Sequence, residues 1–75
     1  MNSLTKLGEY LDKKSVNKAS VARKTGLAKN RLTAITTSDT ARLTAEEIYL
    51  VALAIEASPG ELLEYVCGDL NLKTE

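Results

Sequence analysis

An all-α fold of five short helices is the architecture this sequence predicts, and three observations carry it. Apolar residues recur at three- and four-residue spacing in several segments, and no stretch alternates apolar and polar residues long enough to make a strand. Residues that cap helix N-termini stand ahead of those segments: Asn17, Thr44 and Ser58, the last two followed three positions later by glutamate. Finally, 75 residues allow one compact core and leave no room for a second.

The first helix spans about Leu4 to Lys14, capped by Asn2 or Ser3, with Leu4, Leu7 and Leu11 on one face and Tyr10 beside them. Gly8 inside it costs about 1 kcal/mol relative to alanine unless close packing requires it. The second helix begins after Asn17, with Val16 stapled against Val21, and Gly26 stops it by accepting the left-handed conformation that reverses the chain. After a tight connection from Leu27, the third helix runs from about Ala28 to Thr36 and turns Ala28, Leu32 and Ile35 inward. A polar loop follows from Thr37 to Leu43.

In the fourth helix Thr44 and Glu47 form a capping box, Leu43 and Ile48 a second staple, and Ile48, Val51, Ala52 and Ile55 repeat at helical spacing. The fifth has Ser58 as cap, Pro59 at its first position and Glu61 at its third, with Leu62, Leu63 and Val66 on its apolar side. Gly68 ends it, so residues 1–68 form the domain and residues 69–75 a short tail.

Composition excludes several classes of function. The start of the chain has no uninterrupted apolar stretch, and the longest apolar run, Ile48 to Ile55, is too short to cross a bilayer; a cytoplasmic chain with no membrane partner is expected. Cys67 is the single cysteine and there is no histidine, which leaves no internal disulfide, no metal site and no cofactor to expect. With no glycine-rich phosphate loop and no evident carboxylate pair in a pocket, neither an enzyme nor catalytic residues are expected. A core of this size gives roughly 3 to 5 kcal/mol of net stability, so an oligomer partner would help.

Net charge is zero, yet it is unevenly spread. Residues 1–42 carry +6 and residues 43–75 carry −6, a division that suggests one surface for a polyanion and another for solvent or a basic partner. The basic half contains two short helices joined through Gly26, the arrangement in which a second helix enters a DNA major groove while the first crosses the backbone. Ala22 is small where those helices cross, and Val21, Leu27, Leu32 and Ile35 supply the apolar seam.

The segment KASVARKTGLAKNRLTAITT resembles the helix-turn-helix of the lambda-repressor-like (Cro and XRE) family. LGEYLDKK resembles that family's first helix and LTAEEIYLVALAIEASPGELLEYV its fourth and fifth, so the likeness covers about residues 4–66. Departures are local: Thr25 stands at a usually aliphatic place, Ala28 where a serine or threonine cap is general, Ser20 where glutamate or glutamine completes a capping box, and TSDTAR lacks the common loop glycine. The resemblance implies a sequence-specific transcriptional regulator, a repressor, acting on double-stranded DNA.

On a helical wheel Lys29, Asn30, Thr33, Ala34 and Thr37 fall within an arc of roughly 140°, opposite Leu32 and Ile35. Lys29, Asn30, Thr33 and Ala34 are therefore the candidates for reading bases. Asparagine pairs with an adenine edge, lysine donates to guanine, and alanine or a threonine methyl touches a thymine methyl. Lys18, at the start of the second helix, is the first phosphate candidate, a role the resemblance also implies; Arg31, Thr37 and Arg42 follow it. The resemblance further implies a homodimer paired through the fifth helix, with Leu62, Leu63 and Tyr65 at the interface, suited to a palindromic site. Two other readings stay open: an antitoxin-type module whose acidic helices engage a toxin or another regulator, and a helix-turn-helix that binds only protein.

Overall fold

A computed structural model of the chain describes residues 4–38 and 40–73. Asn2 and Ser3, expected as caps, and Asp39 of the polar loop lie outside the described residues. All regular structure among the described residues is helical: α1 (Lys6–Lys13), α2 (Lys18–Thr25), α3 (Lys29–Thr37), α4 (Ala45–Ala54) and α5 (Pro59–Cys67). The first amides of a helix have no partner inside it, and four of the five helices start where a side-chain oxygen accepts from one of them. Thr5 accepts from Gly8 N–H at 3.1 Å, Asn17 from Ser20 at 3.2 Å, Thr44 from Glu47 at 3.1 Å and Ser58 from Glu61 at 3.4 Å. At Ala28, which has no side-chain acceptor, α3 begins uncapped.

Thr5 is the cap of α1, and tertiary structure explains why. Its hydroxyl also donates to the Ile35 carbonyl at 2.8 Å, and its N–H donates to the Thr36 carbonyl at 3.0 Å. These bonds bind the start of α1 to the last turn of α3, whose carbonyls would otherwise lack helical partners. Gly8 lies at the same crossing: a Cβ there would run into the Thr36 carbonyl oxygen, so close backbone approach accounts for a glycine in mid-helix.

Helix α1 packs on α3 and α5, α2 on α3 and α4, and α4 on α5. Leu7, Leu11, Val21, Leu32, Ile35, Val51, Ala52 and Leu62 close the centre, with Tyr10, Ala22 and Ile48 around it. The inward face of α3 differs from the one its spacing predicts. Ala28 is exposed, because it precedes the helix in extended backbone, and Thr36 is buried in its place. The Thr36 hydroxyl donates back to the Leu32 carbonyl at 2.9 Å and lies 3.1 Å from that of Thr33, which is how a polar side chain is accommodated in the core.

Candidate nucleic-acid interface

The α2–α3 pair is built around one backbone conformation. Gly26 has φ 80°, and its N–H closes α2 on the Ala22 carbonyl at 3.0 Å. Nothing lies within 4 Å of where a Cβ would sit, so the torsion angle and not space requires glycine there. Thr25, at the usually aliphatic position, tightens the same turn: its hydroxyl donates to the Val21 carbonyl at 2.7 Å and accepts from Leu27 N–H at 3.2 Å. Val21 and Ala22 meet Leu32 and Ile35 in the core, with Leu27 half-buried beside them.

That seam fixes which side of α3 faces out. Lys29, Asn30 and Thr33 are exposed and Ala34 is half-buried. Lys18 and Ala19 of α2 share a shallow groove of about 230 Å³ with Lys29, Leu32 and Thr33, which brings the first phosphate candidate alongside two base-reading candidates. Arg42 is exposed in the loop, and among the described residues neither it nor Lys18 enters an ion pair.

Arg31 is placed differently from the outward role its position on the wheel predicts. Its Nε donates to Glu47 Oε2 at 2.7 Å and its Nη2 to Glu47 Oε1 at 2.9 Å, a two-pronged pair; Nη2 also donates to the Arg42 carbonyl. The Nε and Nη2 edge of the guanidinium is thus engaged within the protein. Glu47 Oε1 also accepts from Thr44 N–H at 2.9 Å, so one carboxylate completes the capping box of α4 and holds α3. Donation from Arg31, followed by that from Thr44, outweighs the cost of burial and holds the Glu47 carboxyl at about 2, against an ordinary 4.5. Thr37 likewise has its donor in use, because its hydroxyl donates to the Thr33 carbonyl at 2.6 Å.

The residues expected at a dimer interface separate in the structure. Leu62 is fully buried in the monomer core, out of reach of a second chain. Tyr65 is half-buried, its ring edge-on to Tyr10 with centroids 5.1 Å apart and the Lys13 ammonium 5.5 Å from its centre. It is engaged in joining α5 to α1. Only Leu63 of the three is exposed.

Sequence spacing gives no sign of the Arg31–Glu47 pair, whose members lie 16 residues apart, or of the Thr5 bonds to α3. No group of His, Cys, Asp and Glu among the described residues could hold a metal ion, and no helix there is long and apolar enough to cross a membrane. No curated protein and no solved structure matches the chain. Residues 6–68 match the Cro/C1-type HTH DNA-binding domain, with the glycine turn, the α2–α3 seam and the exposed ridge all inside the match, and the chain belongs to that family.

Proposed function

We propose that this protein is a sequence-specific transcriptional regulator, a repressor that acts by occupying its operator without chemistry. The observation that carries the reading is the exposed polar ridge Lys29, Asn30 and Thr33 on a helix held by a left-handed glycine turn, with Lys18 across a shared groove. In this reading the ridge and the methyl of Ala34 meet base edges in the major groove. Lys18 and Arg42 are the phosphate contacts, since among the described residues they enter no ion pair, whereas Arg31 is paired with Glu47 through Nε and Nη2 and the Thr37 hydroxyl donates to Thr33. The burial of Leu62 and the engagement of half-buried Tyr65 with Tyr10 give no support to pairing through them, and each half-site takes one chain.

Selection of bound duplexes from a random pool tests this directly. The expected result is enrichment of one short motif, and whether that motif occurs singly or as an inverted repeat reports the number of chains bound. Recovery of unenriched sequences, with retained affinity for any duplex, would contradict sequence-specific regulation.

A further inference from the structure

Helix α4 is apolar around most of its circumference, yet only part of that surface is covered. Ile48, Val51 and Ala52 are buried, whereas Tyr49 and Leu53 are 55% and 52% exposed, with Leu50 beside them. These three follow Glu46 along one face at helical spacing. Leu63 of α5, 49% exposed, extends the patch, because it shares a groove of about 200 Å³ with Tyr49, Ile48, Pro59 and Gly60. A second depression, lined by Ala45, Glu46, Tyr49 and Leu50, lies on the other flank of Tyr49. A helix apolar on most sides is normally covered, and a contiguous apolar patch with a polar rim marks an interaction surface.

Charge says what kind of cover fits. Between Leu43 and Leu72 the chain has no lysine or arginine. Of the acidic residues there, Glu47 is paired with Arg31 and Asp69 with Lys6, while Glu46, Glu56, Glu61 and Glu64 are exposed and enter no ion pair among the described residues. A second copy laid on this face would bring its own four carboxylates against these, whereas a basic partner would neutralise them.

We propose that the Tyr49–Leu50–Leu53–Leu63 face is a docking site for an amphipathic helix of another protein, with an apolar stripe that enters the α4–α5 groove and lysine or arginine flanking it. None of the four residues lies on α2 or α3, so the site is distinct from the proposed DNA-reading ridge.

The test titrates the full chain, isotopically labelled for NMR, with a synthetic helix of about 18 residues that carries leucine at i, i+3, i+4 and i+7 and lysine elsewhere. A matched peptide with glutamate in place of lysine is the control. The expected result is saturable shifts centred on Tyr49, Leu50, Leu53 and Leu63, with the glutamate peptide about tenfold weaker or more. Tyr49→Ser with Leu63→Ser should weaken the lysine peptide about tenfold, while Leu72→Ser leaves it unchanged and all variants keep their affinity for duplex DNA. No binding, equal binding to the double variant, or a concentration-dependent dimer that Tyr49→Ser dissolves would each overturn the proposal, the last by showing that a second copy is the occupant. Because DNA binding is read separately, failure of this site leaves the regulator reading standing, and the reverse also holds.

Discussion

Three residues, one at a close approach of two backbones and two in the left-handed region, give the most direct checks. At Gly8 the helix-propensity gain of alanine, about 1 kcal/mol, opposes a Cβ driven into the Thr36 carbonyl, which itself accepts from Thr5 N–H. Overpacking against backbone is the larger effect, so Gly8→Ala should lower unfolding stability in urea by about 1 to 3 kcal/mol; a more stable variant would mean that the α1–α3 crossing is looser than described. Ser15 and Glu56 occupy the left-handed region, at φ 58° and 60°, each just past a helix end. There they allow Val16 N–H to reach the Leu11 carbonyl at 3.2 Å and Ala57 N–H to reach that of Ala52 at 2.9 Å. Glycine relieves the strain of that conformation but adds freedom to the unfolded chain, so Ser15→Gly and Glu56→Gly should each raise stability by about 0.5 to 1 kcal/mol in thermal unfolding. With neither position a glycine, those two helix ends carry no stop signal in the sequence, unlike the end of α2 at Gly26.

Between elements, the Arg31–Glu47 pair couples the start of α4 to the exposed-ridge helix α3 and, through the Arg42 carbonyl, to the loop between them. Half of this was legible: Thr44 and Glu47 lie three residues apart and announce a capping box, but a partner on another helix leaves no periodic trace. Glu47→Gln should cost about 1 to 3 kcal/mol of stability, and Arg31→Ala should lower stability as well. The double variant should cost less than their sum in a double-mutant cycle. A phosphate ligand predicts otherwise: Arg31→Ala would then lower the salt dependence of DNA binding by about one, and Glu47→Gln would not share its effect. The pH dependence follows from the sign of the shift. Because the folded carboxyl titrates near 2 and the free one near 4.5, its stabilisation is complete above about pH 4.5 and drains away as pH falls toward 2. Glu47→Gln should flatten that acid limb of the stability curve, and an unchanged limb would remove Glu47 as its source.

At the scale of the whole molecule, the two halves of opposite charge are divided by element, and both ion pairs among the described residues, Lys6–Asp69 and Arg31–Glu47, join one half to the other. The basic half contains α1, α2 and α3, and the acidic half contains α4, α5 and the apolar face between them. This division was legible from the order of charged residues alone, as was the helix pair joined through Gly26. The burial of Leu62 and the engagement of Tyr65 with Tyr10 were not, because spacing along α5 cannot show which of its apolar residues the other helices cover. A cationic front that meets the phosphate backbone gives binding that weakens with salt whatever the sequence. Lys18→Ala should therefore weaken operator and random duplexes alike and lower the slope of log affinity against log salt by about one. An unchanged slope would place Lys18 away from phosphate.

If the outward ridge of α3 reads base edges, as proposed, Asn30 is the side chain whose loss is most informative. Affinities of the wild type and Asn30→Ala would be measured against a selected duplex, each of its single-base variants and a random duplex. The predicted result is that discrimination collapses at one base pair, with roughly 1 to 3 kcal/mol lost there, while preferences at the other positions and affinity for the random duplex persist. Equal weakening on every duplex would contradict base reading by this ridge.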